Sequence, residues 1–176
     1  MTEVASFDRL TTLPLPPATY VPGRSGKAQR QQSQRWLGQH LATAWGAARA
    51  GASVRENLAW LYGIDLFHAG CFWEAHEAWE PLWRAAPEDS AERRLLQALL
   101  QWAASLVQLK AGRVDAAKRL AQRALARAGE VDASHCLDVD VAHARVCLHS
   151  YLEWLKEGLG EAGAAETPRP LLRFRK

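Results

Sequence analysis

LFHAGCFWEAHEAWEPLW, Leu66 to Trp83, reads as the end of one helix, a glycine turn at Gly70 and the opening of the next helix. A second stretch of the same plan, QLKAGRVDAAKRLAQRAL from Gln108 to Leu125, matches Ala69 with Ala111, Gly70 with Gly112 and Ala75 with Ala117. Each is a helical hairpin whose second helix carries an early alanine that permits close packing, the logic of tetratricopeptide-like hairpins. Two copies do not make a solenoid. No segment alternates with period 2 for long enough to form a strand, so the expected fold is all-α, a compact bundle of about five to six helices.

Inside the first hairpin, CFWEAHEAWEPLW (Cys71 to Trp83) holds three tryptophans, a phenylalanine, one histidine and three glutamates. On a helical wheel Phe72, Trp73, His76, Glu77, Trp79, Glu80 and Trp83 share one arc of about 160°, while Ala75, Ala78 and Leu82 lie opposite. Both faces therefore read as buried, with His76 and Glu80 among aromatic rings. Buried polar groups require partners or a ligand.

Composition sets outer bounds. With 176 residues, 48% of them hydrophobic, the chain has material for one core. The longest apolar run, LLQALLQWAASLVQL from Leu95 to Leu109, is broken by glutamines and too short to span a bilayer, and the N-terminus lacks the pattern of a secretory signal. A cytoplasmic protein without membrane contact is expected. Cys71, Cys136 and Cys147 form no CxxC pair, which argues against a disulfide framework or zinc ribbon. A net charge of +3 does not point to nucleic acid.

Along the chain, residues 1–28 read as an extended proline-rich arm, residues 29–158 as a single helical-bundle domain and residues 159–176 as a flexible basic tail. Helical spacing runs from about Ala28 to Arg49, with Gly51 as the stop. SVRE, from Ser53 to Glu56, reads as a capping box opening a helix to Ala69. Pro81 predicts a kink near Glu77 to Trp83 or an early end to the next helix. Asp89 and Glu92 mark the start of the longest helix, which Gly112 ends. Val114 to Ala128, ended by Gly129, and Val139 to Glu157 complete the set.

Several residue groups bear on chemistry. HEAWE, His76 to Glu80, is compared with the HExxH helix of zinc proteases, whose two histidines bind metal while the glutamate between them is the general base. Glu80 replaces the second histidine. A metal would need further ligands, for which Asp65 and His68 on the preceding helix are the candidates, with Glu77 as base. Glu80 can instead pair with Arg84 on the next helical turn. On the long helix Gln97, Gln101 and Gln108 lie within about 40°, beside Arg94 and Ser105. Facing His76 and Glu80, this stripe would form a polar network walled by Trp73, Trp83 and Trp102. Arg119, Arg123 and Arg127 read as a solvated stripe, and His143, Cys147 and His149 as packing rather than a metal centre. No GxSxG, Walker loop or GxGxxG motif occurs.

GIDLFHAGCFWEAHEAWEPLW, LLQALLQWAASLVQLKAG and DAAKRLAQRALARA, in that order, resemble the bacterial domain of unknown function 309 family over roughly Leu58 to Ala128. The AHEAWExxW and LQALLQ segments carry the likeness, and PPATYVPGR in the arm extends it. The resemblance implies a small all-α fold and names no activity. Some relatives place Pro-His-Pro where this chain has Arg24, Ser25, Gly26 and Lys27, and many carry asparagine at the position of His68.

The favoured expectation is a pocket for a small ligand or partner, with Trp73, His76, Glu77, Glu80, Trp83, Gln97 and Gln101 around it. The alternative is a metal-dependent hydrolase or lyase using His76, Glu80, Asp65 and His68 as ligands and Glu77 as its catalytic base. A third reading is a protein-interaction module with no catalytic site. No cofactor is required by the sequence, although a divalent metal is compatible with it, as is a homo-oligomer.

Overall fold

A computed structural model of the chain describes residues 8–132, 134–158 and 172–174. Six α-helices lie among them: α1 (Lys27–Arg49), α2 (Leu58–His68), α3 (Phe72–Ala85), α4 (Ala91–Lys110), α5 (Val114–Gly129) and α6 (Val141–Lys156). The all-α bundle expected from the helical spacing is present. One short antiparallel ribbon accompanies it, β1 (His135–Cys136) paired with β2 (Val139–Asp140). Leu137 and Asp138 between them have φ of 51° and 64°, a pair of left-handed residues that turns the chain in two positions. Strands this short leave no alternation for a sequence reading to detect.

The two glycine turns close alike. Gly70 and Gly112 both have φ of 78°. At the first, Cys71 N donates to Leu66 O (2.8 Å) and Gly70 N to Phe67 O (3.1 Å). At the second, Arg113 N donates to Gln108 O (2.9 Å) and Gly112 N to Leu109 O (2.9 Å). Both are Schellman closures, which satisfy the last carbonyls of a helix while reversing the chain. As a result α2 packs on α3 and α4 on α5, and α3 lies against α4 to join the hairpins.

Helix starts depart from expectation where side chains are recruited by tertiary contacts. Asn57, not Ser53, caps α2: its Oδ1 accepts from Ala59 N (2.9 Å) while its Nδ2 donates to Ala44 O of α1 (2.8 Å). One amide thus serves two helices, which a capping serine cannot do. Ser90, not Asp89, caps α4 through Arg93 N, and Asp89 takes a left-handed φ of 61°. Asp140 caps α6 through His143 N. Gly129 closes α5 from within, and α3 continues through Pro81 to Ala85 rather than ending early.

The core is built on the α2–α3 contact. Trp79 is fully buried, 5.8 Å from Trp60 and 5.6 Å from Phe67 between ring centroids, and its Nε1 donates to Trp60 O (3.2 Å). Trp45 on α1 donates to Ala78 O (3.0 Å), locking the alanine face of α3. Among the described residues no helix is long and apolar enough to cross a membrane.

Candidate functional site

The aromatic and acidic arc of α3 is shared between two neighbours. Trp79 turns to α2, whereas His76, Glu80 and Trp83 turn to α4 and meet Gln97, Leu100, Gln101 and Ala104, with Leu120 of α5 completing the wall. These residues line a cavity of about 230 Å³. Its floor is apolar and its polar groups come from two facing helices, the usual division of labour in a small-molecule site.

Two lining residues carry an unsatisfied polar atom. Gln101 Oε1 and Trp83 Nε1 are both buried and have no hydrogen-bond partner among the described residues. Turning the Gln101 amide over would exchange an orphan acceptor for an orphan donor, so the deficit does not depend on which way the amide is built. Arg93 holds Trp83 in place: its guanidinium lies 5.0 Å from the ring centroid and donates to Trp83 O (3.0 Å) and Ala86 O (2.8 Å).

His76 and Glu77 are each 29% exposed and Glu80 30%. Ligand atoms of the three, one from each, lie within 4.8 Å of one another. His76 Nδ1 stands 3.8 Å from Glu77 Oε1, beyond hydrogen-bond range, and among the described residues neither ring nitrogen makes a hydrogen bond. Glu80 pairs with the exposed Arg84 (2.7 Å). Such an exposed pair on one helix contributes about 0.3–0.5 kcal/mol.

The rest of the expected network is placed elsewhere. Trp73 is not a cavity wall; its ring packs edge-on against Tyr20 of the arm, 5.0 Å between centroids. Trp102 is a core residue against Phe67 (5.3 Å). Gln108 accepts from Arg113, and Ser105 donates to Ala117 O (2.7 Å) at the α5–α6 side. The glutamine stripe therefore divides, because one helix face here serves three neighbours.

Asp65 and His68 do not join His76 and Glu80. Asp65 is fully buried and receives the arm: Leu10 N (2.7 Å), Thr11 N (2.9 Å) and Thr11 Oγ1 (2.7 Å) all donate to its carboxylate, with Arg9 at 3.5 Å. Those bonds occupy the oxygens a metal would need. His68 Nε2 accepts from Leu172 N (2.9 Å), and burial pushes its pKa down to about 4, keeping the ring neutral and an acceptor.

Glu74 lies off the aromatic arc of α3, on its alanine side. It is fully buried; its Oε1 accepts from Tyr20 N (2.8 Å) and Ser33 Oγ (2.8 Å), and its Oε2 has no partner among the described residues. Burial raises its pKa, against the hydrogen bonds and the nearby Lys110 ammonium. Burial also pushes the adjacent Cys71 thiol up to about 12, so it is inert as a nucleophile near neutrality. Asp65 and Glu74 thus hold the arm, with Tyr62 donating to Pro14 O (2.6 Å) between them. His143 Nε2 and Cys147 Sγ are 3.3 Å apart, and among the described residues no further group joins them in a ligand cluster.

Residues 60–120 match the model of a family described as Domain of unknown function (DUF309). The matched span contains every residue that lines the cavity. No curated protein and no solved structure matches the chain.

Proposed function

We propose that the cavity between α3, α4 and α5, whose lining lies within the residues 60–120 that match the DUF309 model, binds a small ligand with an apolar body and a polar head. The family's description assigns no activity, so the reading rests on this chain's own residues. What carries it is the pair of buried, unsatisfied atoms, Gln101 Oε1 and Trp83 Nε1, on two residues that line the cavity from facing helices. Leaving such a group without a partner costs about 1–3 kcal/mol, a deficit that a ligand supplying both a donor and an acceptor would remove. Leu100, Ala104 and Leu120 would take the apolar body, and His76, Glu80 and Gln97 would orient the head.

A fragment screen followed by the Trp83 indole N–H resonance tests this reading. Fragments bearing an amine or amide on an apolar ring are expected to shift that resonance, and Ala104→Leu, which fills the floor, should abolish the shift. A Trp83 signal indifferent to every fragment would overturn the proposal. His76→Ala should change stability by less than about 1 kcal/mol, as befits a part-exposed side chain without hydrogen bonds, whereas a larger loss would make His76 a structural residue.

A further inference from the structure

We propose that the hollow where the arm meets the α4–α5 turn binds the phosphate group of a small molecule, at a site that shares no residue with the α3–α4 cavity. Gly112, Arg113, Val114, Asp115, Ala116 and Arg119 line a space of about 470 Å³ there. A third arginine reaches it from the arm: a Cβ built on Gly112 would stand 3.5 Å from a guanidinium nitrogen of Arg24. The contact is reciprocal, since a Cβ on Gly23 would stand 3.0 Å from Arg113 Nη1. Each arginine lies over the glycine of the other's turn, so two cations from distant parts of the chain are brought together.

Both turns are fixed by the protein itself. Val21 O accepts from Arg24 N (3.0 Å) and Ser25 N (2.8 Å), Ser25 Oγ accepts from Val21 N (3.0 Å), and Tyr20 N is tied to the buried Glu74. Arg113 is held by Gln108 Oε1 (2.5 Å) and Pro22 O (3.3 Å). The guanidiniums of Arg24 and Arg119 make no hydrogen bond or ion pair among the described residues, and Asp115 is the one carboxylate in the lining. Three positive charges against one negative repel each other, and a dianion between them removes that repulsion. Three guanidinium forks offer more donors than the two oxygens of a carboxylate can take, whereas a phosphate ester presents three oxygens and close to two negative charges. No aromatic ring in the lining offers a base something to stack on, and Val114 and Ala116 are too little apolar surface to enter a bilayer. A small phosphorylated molecule fits this chemistry better than a nucleic acid or a membrane.

Titration of the full chain with inorganic phosphate at constant ionic strength, read by the backbone N–H resonances of Gly112 and Arg113 and by calorimetry, tests the site. Saturable one-site binding is expected, weakened more than about fivefold in Arg24→Gln and in Arg119→Gln, and tightened in Asp115→Asn. Arg123→Gln, one turn further along α5, should change the affinity by less than about twofold, which separates a site from diffuse attraction to a basic face. A gain of affinity in Asp115→Asn also keeps the result independent of any loss of fold in the arginine variants. Shifts that grow linearly without saturating, an Arg123→Gln loss equal to that of Arg119→Gln, or no tightening in Asp115→Asn would each overturn the proposal. So would binding to phosphatidate vesicles or to single-stranded DNA that free phosphate does not compete away, since the arginines would then serve that partner instead.

Discussion

Glu74 buries a carboxyl with one oxygen accepting two hydrogen bonds and the other bare, and burial raises its pKa. Because the folded value exceeds the unfolded one, the contribution to stability is complete below the ordinary glutamate range and is lost as pH rises through the folded value. Wild type should therefore lose stability relative to Glu74→Gln as pH is raised across that window. The glutamine itself introduces a constant cost of about 1–3 kcal/mol for an amide N–H₂ placed where the bare oxygen sits. Denaturant unfolding at a series of pH values measures the difference; curves that run parallel would mean Glu74 titrates as in the unfolded chain. The residue was legible in principle. It lies about 40° from Ala78 on the wheel, on the buried alanine side and off the aromatic arc that holds His76, Glu77 and Glu80. What hid it was its partners, since Tyr20 and Ser33 are distant in sequence.

Among the elements, α2 and α3 approach closely at Gly63. A Cβ there would stand 2.1 Å from Trp79 Nε1, inside a fully buried indole that is already hydrogen-bonded to Trp60 O. Alanine would gain about 1 kcal/mol of helix propensity, yet overpacking a core position costs typically 1–3 kcal/mol and here must displace a tryptophan. Gly63→Ala is expected to lower stability by about 2 kcal/mol in urea unfolding, and an unchanged midpoint would mean the two helices can separate without loss. Helix ends were readable where the signal is local, as at Gly70 and Gly112, whose glycines need the left-handed φ that ends a helix. Helix starts were less so. Asn57 prevails over Ser53 because its amide also bonds α1, and no inspection of residues 53–57 alone contains that contact.

Across the whole molecule, the described parts of both termini meet the end of α2. Asp65 receives Leu10 and Thr11 from one side and His68 receives Leu172 from the other, while Phe174 bridges to Val139 and Asp140 N donates to Arg173 O. Residues 8–26 of the arm expected over residues 1–28 strap across α2 and α3, while residues 1–7 of that arm and residues 159–171 and 175–176 of the expected tail lie outside the described residues. His68 must stay neutral to accept from Leu172. With its pKa lowered from 6.5 to about 4, its contribution is present above the unfolded value and lost as pH falls through the folded one. Stability should therefore decline between pH 6.5 and about 4, by on the order of 3 kcal/mol at most, with the Leu172 amide exchanging faster over the same range. Hydrogen exchange by NMR checks this, and a His68→Gln variant with the same acid sensitivity would refute it.

The sequence by itself determined the all-α class, the glycine-turned hairpins and the burial of the alanine face of the aromatic helix, because each follows from helical periodicity and hydrophobic spacing. The tertiary structure alone decided that Asp65 and Glu74 serve the arm and that Trp73, Glu77 and Trp102 do not line the cavity. The reason is physical: a helical wheel says which residues share a face, but a buried carboxylate or ring is committed by whichever distant segment first satisfies it, and only the packed chain brings that segment near.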